Sequence, residues 1–310
     1  MPLLTSEWVH GPGQTAGQVL PVSAPYPEIK VWHVVYHLAP FKRNRITLHY
    51  HLGQLRKYAS LFNGRKILSC MTGDAFLPVS YVRSFLPDAA TWEIVDAPNS
   101  PLHEATSIVR IFDDLLRTPE DQAFVYAHGK CMSRPYGVWT QWIEHLYEYT
   151  FGSFDRIGFL LTCFPVAGPF LWVDCPEQRE PANGRWHYPG TFFAGRCDVF
   201  SKMPWKGRPV ESPSWLEELP GYLFHKKYLG NVSNAILGDT EDVEAAEVKL
   251  DRAFETGIPT FPPASLRPSL ANARAYQDFF WSRFDAALAG HRYFSIESKF
   301  DMNLWEAGGK

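Results

Sequence analysis

Hydrophobic positions along the chain alternate between a strand period and a helix period, and that switching predicts the architecture. Residues 28–38, EIKVWHVVYHL, carry a β-branched and aromatic run after Pro27 and predict a first strand. The run ends on Tyr36, His37 and Leu38 and turns into a basic loop, FKRNR. Next, Leu48, Leu52, Leu55, Ala59 and Phe62 fall on one face at helical spacing, with Gly64 placed as the helix C-cap. RKILSCM predicts a second strand, ending on Thr72, Gly73 and Asp74. A short helix over residues 78–86 leads to a third strand, TWEIVDAP, ending near Asn99. Ile108, Val109, Phe112, Leu115 and Leu116 then share one side of a second amphipathic helix. It delivers the chain to AFVYA, residues 123–127, a wholly apolar strand that stops on His128, Gly129 and Lys130.

This β-α-β-α-β-α-β order predicts an α/β fold with a mostly parallel sheet flanked by crossover helices. Ligands of such sheets gather at the carboxyl ends of the strands, so the loops at His37, Asp74, Asn99 and His128 are the candidates. Beyond them, Val138, Trp139, Trp142, Ile143, Leu146 and Tyr147 make another helical face. Residues 157–173, IGFLLTCFPVAGPFLWV, carry no charge but are broken by Pro165, Gly168 and Pro169. That pattern suits a buried strand and turn better than a membrane span. Phe192 to Gly195 reads as one more strand. Residues 1–27, rich in Pro, Gly and Ser, predict an extended arm. The sheet domain is expected over 28–230. Residues 231–310 are expected as a helical or irregular extension packed on the same domain.

Composition narrows the class. The 310 residues are 45% hydrophobic and 20% charged, enough for a full core. A net charge of −3 offers no basic excess for nucleic acid or an anionic membrane. Without a secretory pattern at the N-terminus, a cytoplasmic protein is the expectation. Five cysteines, Cys70, Cys131, Cys163, Cys175 and Cys197, are odd in number and have no C-x-x-C pair. That argues against a disulfide framework and a zinc ribbon. A zinc set drawn from Cys163, Cys175, His187 and Cys197 lacks a recognised spacing. Aromatics reach 15%, with 11 Trp, which fits either an aromatic core or rings that stack on a sugar or base. The sequence contains no G-x-G-x-x-G, P-loop, G-x-S-x-G or H-E-x-x-H, which weakens dehydrogenase, NTPase, serine hydrolase and zincin readings.

Four constellations remain. His128-Gly129-Lys130 ends a strand: the glycine allows close backbone approach, Lys130 suits phosphate, and His128 can donate or exchange a proton. Such a group suits a pyrophosphate leaving group without a metal; the plain alternative is a solvated turn. GRWHYPGTFFAGR places Trp186, His187 and Tyr188 before a Gly190-Thr191 turn. It reads as a substrate wall or as an aromatic corner packed under a hairpin. Glu211, beside Trp215, stands apart from Glu217 and Glu218 and is the candidate general base. Asp74 and Asn99 read as ribose or base contacts, or as turn residues capping the next helix. Asp113 and Asp114 lie inside a helix and read as a solvated face.

Taken in order, LFNGR before the second strand, Tyr126-Ala127-His128-Gly129-Lys130 after the fourth, WHYPGTFF at 186–193, and Glu211-Ser212-Pro213-Ser214-Trp215 with Leu223-Phe224 resemble a bacterial glycosyltransferase family. The resemblance spans about residues 30–225. That family has Y-x-H-x-K-G, W-H-Y-S-G-T-F-F and E-S-W-P-G segments. This chain departs in Cys131 for Gly, Pro189 for Ser, and a longer stretch between Glu211 and Trp215. The resemblance implies a GT-A-like fold and transfer from a nucleotide-diphosphate sugar to a small-molecule or glycan hydroxyl. The fourth-strand position that usually carries D-x-D holds His-Gly-Lys here, so no cofactor is required and a divalent metal is not expected. On this reading His37, Asp74, Asn99, His128 and Lys130 lie on the donor side and Trp186, His187, Gly190, Thr191 and Trp215 on the acceptor side. Glu211, His128 and Lys130 would be the catalytic residues. A non-catalytic nucleotide- or carbohydrate-binding protein of the same fold, and a metal-dependent hydrolase using Cys and His, are the rival classes.

Overall fold

The computed structural model of the chain describes residues 25–98, 105–117, 121–130, 132, 140–169, 172–173, 186–188, 190–203, 216, 219–220, 223 and 229–231. The N-terminal arm, Asn99, Cys131, Pro189, Glu211, Trp215 and the C-terminal extension lie outside these residues.

The first four strands are β1 (Val31–Leu38), β2 (Lys66–Thr72), β3 (Trp92–Pro98) and β4 (Gln122–His128). They pair in parallel in the order β3-β2-β1-β4, as the alternating pattern predicts. The central strands β1, β2 and β4 are largely buried on both faces because helices cover both, while the edge strand β3 exposes Glu93 and Asp96. Helices α1 (Arg45–Tyr58) and α2 (Val79–Phe85) pack with Val34, Tyr36, Leu38 and Leu68 on one face. Helix α3 (Ala105–Leu115) packs with Val35, Ile67, Phe124 and Tyr126 on the other. The strand order reverses at the boundary between β1 and β4, with β2 and β3 laid down on one side and β4 on the other.

After α4 (Thr140–Tyr147), a π-helical turn over Glu148–Gly152 leads to α5 (Phe154–Cys163). Strand β5 (Val166–Gly168) follows, then a separate ribbon of β6 (Trp172–Val173) and β7 (Trp186–His187). Strand β8 (Phe193–Arg196) inserts antiparallel between β4 and β5, and β9 (Leu229–Asn231) lies beyond β5. The result is a mixed, mostly parallel seven-stranded sheet flanked by helices. The short α6 (Cys197–Phe200) closes the α3 face.

Two local expectations are corrected. The uncharged run at 157–173 is not strand and turn throughout: Ile157 to Cys163 belong to α5. Ile157, Leu160 and Leu161 follow helical spacing, masked in the sequence because their neighbours are apolar too. Gly64 is not a helix cap. Helix α1 ends at Tyr58, a 3₁₀ turn follows over Ala59–Leu61, and Gly64 packs under His33. A Cβ there would lie 2.5 Å from His33 Nδ1.

The LFNGR segment is structural, at the amino end of the sheet. Asn63 accepts the Trp32 N–H at 2.8 Å and donates to the Lys30 carbonyl at 2.9 Å. The Arg65 N–H donates to His33 Nδ1 at 2.8 Å. The Arg65 guanidinium forks onto Glu93 at 2.8 and 2.7 Å and reaches Asp114 at 2.8 Å. Asp114 is thus exposed and ion-paired on a helix face.

Candidate functional site

The loop after β4 sits where the strand order reverses, the place at which open α/β sheets keep their ligands. Parallel register sets His37 of β1 opposite His128 of β4. Strand β8 runs the other way and pairs Phe193 with Tyr126, so the turn before it approaches the carboxyl end of β4. The His128 ring stands edge-on to Phe192, with centroids 6.4 Å apart. His128, Gly129 and Lys130 are each half-buried.

This loop is anchored by the first βα unit at three points. The Gly129 N–H donates to the His37 carbonyl at 2.8 Å. Asn44, in the loop before α1, donates from Nδ2 to the Met132 carbonyl at 2.9 Å and accepts from the Thr47 hydroxyl at 2.8 Å. His51, on the buried face of α1, bonds from Nε2 to the Lys130 carbonyl at 2.9 Å. A carbonyl only accepts, so His51 carries its proton on Nε2 and its Nδ1 is an acceptor.

Two tyrosine hydroxyls meet that Nδ1. Tyr36 of β1 lies at 3.0 Å and Tyr147 of α4 at 2.8 Å, and the hydroxyls are 2.6 Å from each other. The proton count closes: one hydroxyl donates to the other, and the second donates to Nδ1. All three side chains are buried. Burial pushes the His51 imidazolium down to about 4, against the pull of the Lys130 carbonyl, so the ring is neutral near pH 7. Burial also raises both tyrosine hydroxyls, which remain protonated donors.

The glycine has a different reason from the one read in the sequence. The Gly129 N–H is spent on the His37 carbonyl, and the Lys130 N–H on the His128 carbonyl at 2.8 Å. Neither is left to approach a ligand. Gly129 is closely packed: a Cβ there would meet Leu38 Cδ1 and Met132 Cγ, each at 3.0 Å. The chemistry of the loop therefore rests on the His128 and Lys130 side chains.

The other predicted residues divide. His37 is buried, with Nδ1 on the Ser69 hydroxyl at 3.0 Å, which in turn meets the Ser107 hydroxyl at 2.8 Å. Asp74 is exposed on the turn after β2 and makes no cap on α2, whose N-cap is Pro78. That turn begins at Gly73, whose φ of 130° disfavours a side chain. It pairs with the basic loop through Phe41 and Phe76, the Lys42 N–H to Ala75 carbonyl bond at 3.1 Å, and the Leu77 N–H to Pro40 carbonyl bond at 2.7 Å. Trp186 and His187 form one arm of the β6–β7 ribbon. Gly190 and Thr191 are buried, Gly190 at φ 84° with its Cα hydrogens against Leu146. Tyr188 is packed against Gly168 in the core, the corner reading of this segment, and Phe192 and Phe193 are core residues.

The sequence reading missed His51, Asn44, Tyr36 and Tyr147. One signal was present: His51 is a polar residue inside the apolar stripe of Leu48, Leu52 and Leu55. Cys163 and Cys197 are buried and reduced, with both thiols raised by burial. Among the described residues no three His, Cys, Asp or Glu side chains gather as metal ligands, and no helix is long and apolar enough to cross a membrane.

No protein-family model and no curated protein matches the chain. Among solved structures, a protein assigned as a nucleotide-diphospho-sugar transferase from Desulfovibrio desulfuricans G20 is 11% identical, with a TM-score of 0.28 over 73% of this chain and 97% of that one. The galactosyltransferase LgtC, in complex with donor and acceptor sugar analogs, is 9% identical, with a TM-score of 0.34 over 86% of this chain and 98% of that one. Overlays this shallow assign no reaction.

Proposed function

We propose that the chain is a glycosyltransferase that moves a sugar, a hexose in the first instance, from a nucleotide-diphosphate sugar to a hydroxyl acceptor. The observation that carries the reading is the anchored loop that presents His128 and Lys130 at the β1–β4 reversal. The sequence resemblance over four segments supports it.

In this reading the donor diphosphate lies over the β4 loop. Lys130 offers it a positive charge and His128 a proton or hydrogen bond, so charge on the departing oxygen is met by side chains. The base of the donor lies toward His37, Asp74 and Asn99. The acceptor enters over Trp186, His187, Gly190, Thr191 and Trp215. Glu211 takes the proton from the acceptor hydroxyl as its oxygen attacks the anomeric carbon and the bond to the diphosphate breaks. A single displacement of this kind inverts that carbon.

In this reading the diphosphate is met without a divalent cation, because the loop holds a lysine where a pair of carboxylates would be needed.

Thermal shift with UDP-, GDP-, dTDP- and CMP-sugars, each with and without EDTA, tests the proposal. A ligand bound only by the folded state raises its stability with concentration. The expected result is a selective shift by one diphosphate donor that survives EDTA, followed by transfer of its sugar. A shift lost with EDTA overturns the role given to Lys130. Binding without transfer or hydrolysis favours a non-catalytic binding protein, and no shift by any donor refutes the reading.

A further inference from the structure

The four residues that sequence reading missed hold the backbone of the proposed loop: His51 bonds the Lys130 carbonyl, Tyr36 and Tyr147 bond His51, and Asn44 bonds the Met132 carbonyl. Within that group, His51 is the side chain bonded to the backbone of Lys130 itself. We infer that His51 is the positioning residue of the diphosphate site, fixing Lys130 through a neutral, tyrosine-locked imidazole. The inference rests on the reading of Lys130 as the diphosphate contact.

The geometry explains why a histidine does this. The Lys130 carbonyl needs a donor that comes from α1, and His51 Nε2–H meets it at 2.9 Å. A ring able to rotate would hold the carbonyl loosely. Tyr36 of β1 and Tyr147 of α4 prevent that: one hydroxyl donates to Nδ1 and the other donates to that hydroxyl, which fixes both the tautomer and the ring plane. Tyr147 is held in turn by stacking on Phe151 at 5.5 Å, across the start of the π-helical turn. Such turns insert one extra residue into a helical turn and re-aim side chains. The network therefore ties β1, α1 and α4 to the β4 loop. Its members touch no substrate in the proposed reading; they act through Lys130.

A position that matters only for packing and one that matters for Lys130 give different double-mutant cycles. The probe is inorganic pyrophosphate, titrated calorimetrically into the full-length chain at neutral pH. Lys130→Ala is expected to weaken binding by roughly tenfold or more, the scale of one charge-assisted hydrogen bond. His51→Leu is expected to weaken it roughly tenfold, on the scale of a lost hydrogen bond in the same site. His51→Gln, whose side-chain amide N–H reaches the same carbonyl, is expected to restore it. In the Lys130→Ala background, His51→Leu is expected to add nothing. Wild-type affinity in His51→Leu, or a loss that simply adds to that of Lys130→Ala, overturns the inference and leaves Lys130 in place. Wild-type affinity in Lys130→Ala, or no binding by the native chain, refutes the diphosphate assignment and His51 with it. Should His51→Leu not fold, Tyr147→Phe replaces it: a weakening abolished by Lys130→Ala supports the inference, and an unchanged affinity overturns it.

Discussion

Acid sensitivity gives the sharpest test of the buried imidazole. His51 has an ordinary value of 6.5 and is pushed down to about 4 in the fold, chiefly because burial penalises the charged ring. Below pH 6.5 the unfolded chain takes up a proton that the folded chain refuses. Stability is therefore full above pH 6.5, falls as pH drops, and levels off once the folded ring also protonates near 4. The slope approaches about 1.4 kcal/mol per pH unit and the total loss is about 3 kcal/mol. Geometry adds to burial: Nε2–H is already bonded to Lys130, and a second proton on Nδ1 would point at the hydroxyl that donates to it. His33, lowered by burial, and Glu93, lowered by its hydrogen bond from Arg65, act in the same direction, so the native curve alone does not isolate His51. His51→Gln does, because it keeps a donor for the carbonyl and loses the titration. Urea unfolding from pH 8 to pH 4 should show the variant near or below the native chain at pH 8 and above it near pH 4.5. Parallel curves for the two proteins would refute the neutral, locked ring.

Three further outcomes follow from the same structure. Glu211→Gln should lower sugar transfer by roughly 10²–10⁴-fold, the usual worth of a general base, while the donor-induced thermal shift persists; unchanged transfer removes Glu211 from the mechanism. Gly64→Ala should destabilise the fold by about 1–3 kcal/mol, because its Cβ would press on His33 Nδ1 at 2.5 Å and the Trp32 carbonyl at 2.9 Å. The donor shift should survive that change, since LFNGR lies at the amino end of the sheet; loss of donor binding in a folded Gly64→Ala variant would contradict the structural role. Gly129→Ala should cost donor affinity more than melting temperature, because Leu38 and Met132 give way by a few tenths of an ångström and the loop moves with Met132; equal affinity would show that the loop absorbs the change.

Much of the sheet was legible in the chain because the relevant signals are local. Apolar runs bounded by turns set out β1 to β4 to within a few residues, and the switch to helical spacing announced α1, α2 and α3. Alternation then required parallel pairing, and parallel pairing put His128 and Lys130 at a carboxyl end. The run at 157–173 failed as a strand because an uncharged segment hides its own period, so burial on every side conceals which face is the core. What only the tertiary structure decided is who meets whom across the sheet. His51 stands 79 residues from Lys130 and Asn44 88 from Met132, while Tyr36 and Tyr147 lie 15 and 96 residues from His51, and no spacing in the sequence couples them. Their roles follow from the hydrogen-bond accounting of a folded interior, where each buried donor and acceptor must find a partner. The same accounting commits the Gly129 N–H to the His37 carbonyl and gives Asn63 and Arg65 of LFNGR their partners at the amino end of the sheet. Local sequence determined the strands and their ends; the folded interior determined which of the residues there are held still.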